Sequence, residues 1–314
     1  MEPHAGAQTA ATESTESATT VLDGNTVADR IYDELDSSID ALGDAGVSPT
    51  MALVSMTDSG AGRTYVSMKQ QACATAGIDC DVYEIAPDRP DTALFDRLAA
   101  LNDDPEVHGV SIQPPLPAHI DRRAAARRIA PRKDVEAVHP ENLGLLFAGT
   151  PRYTPPAPAG IQRLLDAYGI DTAGKRAVVV GRSETVGRPI ATLLSGRGPG
   201  GNATTTVCHT HTEDLGAATR SAELLVVAAG EPGLVDAGML SKGVVVIDVG
   251  INRVDAGDAV AGQVVGDVDF ENVRSVASAI TPVPGGVGPL TVAMLLSNTV
   301  DAASRHSGVD VDLP

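Results

Sequence analysis

The sequence predicts an α/β protein of two domains, the second of them doubly wound, and three observations lead to this prediction. Short apolar runs alternate with segments of helical periodicity twice along the 314 residues, as parallel strands joined by helices do. A proline-rich stretch, residues 151–158 (PRYTPPAP), separates the two series. In residues 175–189 (KRAVVVGRSETVGRP), a β-branched run is followed by a glycine turn and a helix start.

The first series begins after residue 19. Its expected elements are a helix at 26–42, a strand at 51–56, a helix from 64 to 77, a strand at 82–85, a helix at 92–101, a strand at 107–112, a helix at 121–129 and a loop at 131–149. Residues 1–19 are rich in Ala, Thr, Ser and Glu and lack the basic start and apolar stretch of a signal peptide. We therefore expect a disordered tail there.

The second series has the alternation of a doubly wound, Rossmann-type nucleotide-binding domain. Its expected elements are a helix at 160–168, a strand at 176–180, a helix at 187–195, a strand at 204–208, a helix near 213–219, strands at 223–228 and 243–249, and a last helix at 290–303. The acidic end after Gly308 is expected to be frayed.

Composition excludes several classes of protein. The chain is 43% hydrophobic, and no apolar run approaches the ~20 residues of a membrane span. A formal charge of −18 argues against a surface that binds nucleic acid or anionic membranes. Only four of the 23 basic residues are lysines. This acid-rich, lysine-poor composition resembles proteins of salt-filled cytoplasm, and an ordinary acidic bacterial protein is the alternative.

The three cysteines, Cys73, Cys80 and Cys208, are odd in number and lack metal-ligand spacing. We expect reduced thiols in a cytoplasmic protein and no metal site.

Several polar residues stand where the predicted fold would place a ligand. Tyr65 and Lys69 lie four apart on a predicted helix and so share one face. Gln113 ends a strand at the carboxyl edge, where open α/β sheets bind ligands. The alternatives are a surface Tyr/Lys pair and a glutamine that satisfies turn backbone.

Two loops add candidate groups. The Lys133-Asp-Val-Glu loop contains two carboxylates, those of Asp134 and Glu136. Considered alone, these carboxylates would be charged groups exposed to solvent. The segment Pro284-Gly285-Gly286-Val287-Gly288-Pro289 can form no regular element, and such a loop presents its backbone closely to a ligand.

The turn after strand 176–180 indicates a cofactor. Free backbone N–H groups and a helix N-terminus suit a pyrophosphate, although the spacing Gly-x-Ser-x-x-x-Gly (181–187) is not the usual G-x-G-x-x-G. Domains that prefer NAD carry an acidic residue after the second strand. Here that strand ends in His209-Thr210-His211-Thr212, and Arg182 follows the first glycine. These groups suit a 2′-phosphate, which favours NADP over NAD.

Together these motifs resemble those of the bifunctional methylenetetrahydrofolate dehydrogenase/methenyltetrahydrofolate cyclohydrolase family over about residues 20–306. The matching motifs, in order, are Tyr65-Val-x-x-Lys69, Gln113-x-Pro-Leu-Pro, Lys133-Asp-Val, Gly181-Arg-Ser-x-x-Val-Gly-Arg-Pro, Asp248-Val-Gly-Ile-Asn-Arg and Thr281-Pro-Val-Pro-Gly-Gly-Val-Gly-Pro-Leu-Thr. Any one of them is weak evidence, and the last is close to diagnostic.

The resemblance implies a folate domain (20–157 plus 284–308), an NADP domain (158–283), a C-terminal helix that returns to the first domain, and a homodimer joined through the NADP domains. It implies oxidation of 5,10-methylenetetrahydrofolate with NADP, followed by hydrolysis to 10-formyltetrahydrofolate. Lys69 would be catalytic, with Tyr65 and Gln113 as its partners, and as a neutral amine it could act as a base. The implied folate-binding residues are Tyr65, Lys69, Gln113, Asp134, Glu136, Pro284, Gly285, Gly286 and Val287. The implied cofactor-binding residues are Gly181, Arg182, Ser183, Val186, Gly187, His209, Thr210 and Ile251.

The chain also departs from the family pattern. Glu136 and Ala137 stand where the family has Asp-Gly, Gln71 replaces a second lysine, and Pro114 replaces the usual leucine. The acid at 136 is the one expected to bind the pterin amino group, so its extra methylene changes the geometry of that contact. The rival functions are a dehydrogenase of the shikimate type and an NADP-binding regulatory protein without catalysis; retention of Tyr65, Lys69 and Gln113 argues against both.

Overall fold

The computed structural model describes residues 19–57, 59–254 and 263–314. The strands are β1 (Thr20–Val21), β2 (Thr50–Ser55), β3 (Asp79–Glu84), β4 (Gly109–Gln113), β5 (Arg176–Val180), β6 (Thr204–Cys208), β7 (Leu224–Val227), β8 (Val245–Asp248), β9 (Asn252–Val254), β10 (Gln263–Val265) and β11 (Ala279–Ile280). The α-helices are α1 (Gly24–Asp44), α2 (Gly60–Thr75), α3 (Asp91–Asp103), α4 (Arg122–Ala126), α5 (Pro140–Phe147), α6 (Pro156–Ala167), α7 (Gly187–Ser195), α8 (Leu215–Arg220), α9 (Phe270–Val273) and α10 (Val287–Ser307), and a 3₁₀ turn covers Ala237–Met239. The predicted tail lies, except for Thr19, outside the described residues.

The first sheet has three parallel strands in the order β3-β2-β4. Its central strand β2 is buried along nearly its whole length, as its continuous apolar sequence predicts. The chain returns beside β4, where the Val110 N–H donates to the Lys133 carbonyl at 2.7 Å and Val110 bridges Asp134. This return places the residues that follow Lys133 along the edge of β4.

The second sheet has six parallel strands in the order β1-β11-β8-β7-β5-β6. The chain passes from β5 to β6 on one side and then crosses to β7 on the other side of β5. Ligands of doubly wound sheets bind at the carboxyl edge where this reversal occurs. The prediction of an α/β fold with a doubly wound second domain is confirmed. The two-residue strand β1 joins this second sheet through β11, although it precedes the first domain in sequence.

The last helix, α10, packs against α1 and α6. Asn298 fixes it to the first domain, because its Nδ2 donates to the carbonyls of Val135 (2.8 Å) and Thr154 (2.9 Å). The same helix contributes Leu290, Leu296 and other side chains to the large buried core. The return of the C-terminal helix is thus confirmed.

The structure differs from the sequence expectations in several elements. The short strands β1, β9, β10 and β11 and the helix α9 were not predicted. Helix α5 occupies part of the predicted loop 131–149, and α6 begins inside the proline-rich linker. The end after Gly308 is not frayed: Val309 and Val311 pack against the core, and the Ser38 hydroxyl donates to the Asp312 carbonyl. Apolar contacts and a buried hydroxyl thus hold this acidic segment in place.

Within the described ranges, no helix combines the length and apolar character that crossing a membrane requires.

Candidate functional site

Lys69 forms a closed hydrogen-bonded triangle with Ser111 and Glu136. Its Nζ lies 3.1 Å from the Ser111 Oγ and 3.2 Å from the Glu136 Oε1, and the Ser111 hydroxyl donates to the same Oε1. The side chains of Lys69 and Glu136 remain 14% and 21% exposed. The triangle is therefore ordered but reachable from solvent.

Three elements bring these residues together. Helix α2 carries Lys69, and the Ser59 hydroxyl caps the helix by accepting from the Gly62 N–H at 3.0 Å. Ser111 lies in β4, two residues before Gln113 and therefore on the same face. Glu136 lies three residues beyond Lys133, on the chain that returns beside β4. Ser111 was missed from the sequence, where its polar side chain within an apolar strand was the available signal.

Glu136 is ionised in this setting. Burial works to raise its pKa, but the charge of Lys69 and the hydrogen bonds from Ser111 and Lys69 outweigh burial and hold the pKa below its usual value. All the hydrogen bonds described for this carboxylate reach Oε1, so within the described part of the chain Oε2 is available to a ligand.

Asp134, two residues earlier, is a structural residue. It has no exposed surface, and its oxygens accept from the Val138 N–H (3.2 Å), the His139 N–H (2.7 Å) and the Asn142 Nδ2 (2.8 Å). Burial raises its pKa, against the opposing effect of these hydrogen bonds. The structure therefore places Asp134 beneath the site, where it orders the turn into α5, rather than on a surface that folate could reach.

Tyr65 and Gln113 lie close in sequence to the triangle but are not hydrogen-bond partners of Lys69 within the described residues. Tyr65 is half-buried, one helical turn before Lys69. The Gln113 Nε2 donates to the Pro114 carbonyl at 2.8 Å, and its buried Oε1 lacks a partner in the ranges that the structure describes. A buried acceptor left in this way is suited to a ligand donor. The amine is oriented by Ser111 and Glu136, where the sequence had suggested Tyr65 and Gln113.

The glycine- and proline-rich loop before α10 packs against the start of α1. Gly285 has φ +99°, and the Gly24 N–H donates to its carbonyl at 2.8 Å. A Cβ on Gly24 would lie 1.7 Å from the Gly286 carbonyl oxygen, so no side chain fits there. Pro284 is exposed, whereas Val287 is buried in the core and its side chain is not on a ligand-facing surface.

The loop between β5 and α7 has the geometry of a phosphate-binding turn. Gly181 has φ +120°, and a Cβ there would meet the Ala228 carbonyl oxygen at 2.1 Å. A Cβ on Gly187 would meet the Gly181 oxygen at 2.3 Å. The Ser183 Oγ accepts from the N–H groups of Val186 (3.1 Å) and Gly187 (3.2 Å) and so shapes the turn. Both glycines are required by close backbone approach.

Arg182, His209 and Thr210 emerge side by side from adjacent strands, since Val180 in β5 pairs with Cys208 in β6. Arg182 and Thr210 are exposed. The His209 Nδ1 accepts from the His211 N–H at 3.1 Å, so a neutral His209 carries its proton on Nε2 and can donate outwards. The three predicted side chains thus share one edge of the turn.

Ile251 is 51% exposed just after β8, at the same carboxyl edge. Beneath it lie two buried carboxylates, Asp248 and Asp267. Asp267 accepts from the N–H groups of residues 229, 230 and 231 and from the Asn252 Nδ2. Burial raises the pKa of Asp248 to about 6, although three backbone hydrogen bonds oppose this effect. These two carboxylates connect the loops that follow β7 and β8. Asp267 was not predicted from the sequence.

The two carboxyl edges lie close to one another. Arg123 on α4 forms an ion pair with Glu184 in the β5–α7 loop, with Nη2 and Oε1 2.7 Å apart. In the ranges 19–57, 59–254 and 263–314, no group of three or more His, Cys, Asp or Glu side chains is arranged to hold a metal ion.

Comparison with known proteins agrees with this architecture. Residues 22–136 match the catalytic-domain model of the tetrahydrofolate dehydrogenase/cyclohydrolase family, and residues 155–307 match its NAD(P)-binding-domain model. The bifunctional protein FolD 2 of Haloarcula marismortui is 54% identical over 296 residues, which are 94% of this chain and 100% of that protein.

Two solved structures are also similar. The bifunctional FolD enzyme of Campylobacter jejuni is 43% identical with a TM-score of 0.87, over 92% of this chain and 99% of that chain. The Trypanosoma brucei FolD, solved with NADP cofactor and an inhibitor, is 37% identical with a TM-score of 0.86, over 91% of this chain and 98% of that chain. The chain therefore belongs to the tetrahydrofolate dehydrogenase/cyclohydrolase family.

Proposed function

We propose that the cleft between Lys69 and the β5–α7 loop carries both reactions of a bifunctional enzyme. The chain oxidises 5,10-methylenetetrahydrofolate to 5,10-methenyltetrahydrofolate with NADP and hydrolyses the product to 10-formyltetrahydrofolate. The observation that carries this assignment of the site is the Lys69–Ser111–Glu136 triangle, an ordered amine beside β4 in the domain whose helix α4 contacts the cofactor turn through Arg123 and Glu184.

The two domains divide the work in this proposal. Residues 20–157 with 284–308 would hold folate, and residues 158–283 would hold NADP. The contacts of α10 with α1 support the assignment of the C-terminal helix to the folate domain, and the pairing of β1 with β11 ties the start of that domain to the NADP sheet.

NADP supplies the oxidation chemistry, since it accepts the hydride that leaves the one-carbon bridge. The residues of the chain bind and orient. The β5–α7 turn and the N-terminus of α7 would hold the pyrophosphate. Arg182, His209 and Thr210 would hold the 2′-phosphate, and Ile251 would cover the cofactor at the neighbouring strand. Holding both reactants in one cleft converts hydride transfer into an intramolecular step.

Lys69 would move the proton in hydrolysis. Water adds to the cationic carbon of the methenyl bridge and gives one proton to the amine. The bond from this carbon to N5 then breaks as the hydroxyl of the adduct becomes the formyl carbonyl. N5 takes up one of the two protons of the water, and the other proton is released. The positive charge of the bridge, once beside Lys69, favours the uncharged amine that a base must be. Ser111 and Glu136 hold that amine in position.

Folate binding would use the remaining unsatisfied groups. The Glu136 Oε2 and the Gln113 Oε1 are acceptors suited to the amino group and ring N–H groups of a pterin. Tyr65 would pack beside the bound ring, and the backbone of Pro284, Gly285 and Gly286 would line the cleft. Asp134 supports this surface from below rather than contacting folate.

The substitution Lys69→Met tests the proposed base, because it removes the amine and roughly keeps the stem. We expect hydrolysis of methenyltetrahydrofolate to fall about 10²–10⁴-fold, the usual loss for a general base. NADPH formation from methylenetetrahydrofolate should persist at a reduced level. Both rates are measured on one preparation, with hydrolysis corrected for the spontaneous reaction.

Lys175→Met is the matched control, since Lys175 lies on the second domain and pairs only loosely with Glu223, at 3.7 Å. It should change neither rate. Hydrolysis near the wild-type rate in Lys69→Met would show that another group is the base.

We further propose a homodimer joined through the NADP domains. Strand β6 is the edge of the six-stranded sheet, and its residues Thr206 and Val207 are exposed, with Val207 40% exposed. An exposed strand edge with apolar side chains is suited to pairing with a second copy. Light scattering should give twice the mass of the chain, and Val207→Asp should yield the monomer. A monomeric wild type would refute the dimer.

A cytoplasmic location is part of the same proposal. The three cysteines are free thiols in the structure, as expected for a reducing compartment. Fractionation of cells that contain the protein tests the location directly.

A further inference from the structure

A cavity of ≈ 230 Å³ lies at the amino edge of the first sheet, away from the cleft. His108, just before β4, and Lys133 on the returning strand form one wall, and the last turn of α10 forms another. None of the residues assigned to the proposed folate and NADP sites lines it. The cavity is therefore separate from the proposed folate and NADP sites.

The charge of its lining is unusual for this chain. Two-thirds of the lining residues are basic: His108, Arg132, Lys133, Arg152, Arg305 and His306. The others are uncharged, so no carboxylate lines the cavity within the described residues. The whole sequence has 41 acidic residues against 23 Lys and Arg. A purely basic lining is thus opposite in sign to the surface of the molecule.

Lys133 is the most deeply placed of these groups, at 2% exposure. Its Nζ donates to the carbonyls of Leu101 (2.8 Å) and Asp104 (2.5 Å). An ammonium group has three donors, so one remains. No carboxylate forms an ion pair with Lys133 in the described part of the chain. The carboxylates of Asp103 and Asp104 act on Lys133 from outside the lining, but burial and the charge of Arg132 outweigh them and lower its pKa. Its desolvation is therefore only partly offset.

The neighbouring side chains also keep donors. The His108 Nδ1 accepts from the Thr50 N–H at 3.2 Å, so a neutral His108 carries its proton on Nε2. Burial, with His306 and Lys133 nearby, lowers the pKa of His108 and favours this neutral form. Arg132 makes one hydrogen bond, to the Asn102 carbonyl at 3.3 Å, and its other N–H groups are unused among the described contacts.

The charges of Arg152 and Arg305 are partly neutralised by carboxylates that do not line the cavity. Arg152 pairs with Glu141 at 2.7 Å, and the Arg305 Nε pairs with Asp301 at 2.7 Å. The Arg305 pair leaves both terminal nitrogens of its guanidinium for another acceptor. The uncompensated positive charge therefore comes from Lys133 and Arg132, with Arg305 adding directed donors.

We propose that this cavity binds a small phosphate anion, either inorganic phosphate or a phosphate monoester. A phosphate dianion supplies the missing counter-charge for Lys133 and Arg132, and its oxygens can accept from guanidinium, ammonium and imidazole donors together. The cavity volume of ≈ 230 Å³ is large enough for a small anion.

The test measures phosphate binding to the full chain without folate or cofactor. Potassium phosphate is compared with KCl at equal ionic strength and pH by calorimetry and thermal unfolding. We expect a saturable stabilisation by phosphate beyond that of KCl. Arg132→Gln should weaken binding at least 10-fold, whereas Arg197→Gln, at an exposed position in a glycine-rich turn, should leave it unchanged.

A third variant separates this cavity from the cofactor site, which would also attract phosphate. Arg182→Gln removes the proposed 2′-phosphate contact and should leave phosphate stabilisation in place. Arg305→Gln gives an independent reduction should Arg132→Gln fold poorly. Equal phosphate effects in wild type, Arg132→Gln and Arg305→Gln, or loss of the effect in Arg182→Gln alone, would overturn the proposal.

Glycerol 3-phosphate, a phosphate monoester, tests whether the cavity binds free phosphate or a phosphorylated metabolite. Tighter binding of this monoester than of inorganic phosphate, again lost in Arg132→Gln, assigns the cavity to a phosphorylated metabolite. The opposite order assigns it to free phosphate.

Discussion

At the scale of single residues, Glu136 has two tasks. Its Oε1 holds the Lys69 amine and the Ser111 hydroxyl, while its Oε2 is open to a pterin. The longer side chain of glutamate, compared with the family's aspartate, reaches Ser111 and Lys69 from the returning strand. In the proposed function, the binding of folate and the positioning of the Lys69 amine would therefore be coupled through Glu136.

Glu136→Gln should impair both tasks of Glu136 and leave cofactor binding intact. The amide keeps the shape but loses the charge that pairs with Lys69, and a charge-assisted hydrogen bond is worth about 1.5–3 kcal/mol. We expect the KM for folate to rise about 10-fold or more and the hydrolysis rate to fall, while NADP binding is retained. Steady-state kinetics with each substrate varied in turn provide the measurement.

Glu141→Gln is the control for this substitution, because Glu141 is half-exposed and pairs with Arg152. It should change neither KM. An unchanged folate KM in Glu136→Gln would place the pterin contact on another group. Asp134 is a poor candidate for it, since its oxygens are already occupied by Val138, His139 and Asn142.

At the scale of secondary-structure elements, cofactor choice depends on two neighbouring strands. Parallel pairing of β5 with β6 brings Arg182 beside His209 and Thr210, although Arg182 and His209 are 27 positions apart in the sequence. The turn after β6 carries imidazole and hydroxyl groups where an NAD-preferring domain carries a carboxylate. We therefore expect a preference for NADP to arise from this pairing and not from either loop alone.

Arg182→Gln should reduce this preference. Loss of an exposed arginine–phosphate contact should raise the KM for NADP about 10-fold, equivalent to about 1.4 kcal/mol. The KM for NAD, which lacks the phosphate, should stay the same. Arg197→Gln is the control for a change of charge alone. An equal rise in the KM for both cofactors would mean that Arg182 acts on the shared part of the dinucleotide.

The sequence predicted those elements that depend on local pattern. Strands β5 and β6 and helix α7 begin and end where their apolar runs and glycines indicate. Helix α5 was missed because its eight residues are too few to show a clear helical period. Its capping signals were present: the His139 Nδ1 accepts from the Glu141 N–H, and Pro140 is at the first helical position.

Site residues that belong to a sequence motif were predicted. Site residues that act only through contacts between distant segments were missed. Lys69, Glu136 and the β5–α7 turn follow from motifs. Ser111 and Asp267 do not, because each gains its role from hydrogen bonds to residues more than twenty positions away. Those bonds depend on how helix α2 and the loops pack against the sheets, which the periodicity of the sequence does not give.

At the scale of the whole molecule, α10 joins the two domains. It starts at the loop beside α1, packs on α1 and α6, and ends at the basic cavity. Across the cleft, by contrast, the ion pair of Arg123 and Glu184 is largely exposed, with Arg123 71% accessible. Exposed pairs of this kind contribute at most about 1 kcal/mol and are screened by salt. The stable connections between the domains are therefore the apolar packing of α10 and the pairing of β1 with β11.

The acidic surface makes stability depend on salt. The exposed face of α1 carries Asp29, Asp33, Asp36 and Asp40 at spacings of three or four residues, so like charges adjoin. Asp40 and Asp44 also lie in the last turn, where the negative end of the helix dipole disfavours them and no basic residue compensates. Salt that screens these repulsions should stabilise the folded chain.

We expect the melting temperature to rise between dilute buffer and molar KCl, where the Debye length falls to about 3 Å. Asp40→Asn with Asp44→Asn should stabilise the protein in dilute buffer by about 1 kcal/mol and shrink the gain from KCl, because two unfavourable charges are gone. Asp88→Asn with Asp91→Asn removes the same net charge at the start of α3, where acidic residues are favourable. It should not stabilise the protein in dilute buffer. If both double variants behave alike, the salt dependence is set by the total charge and not by the position of the charges on the helices. If KCl leaves the wild-type melting temperature unchanged or lower, the acidic surface is not an adaptation to salt.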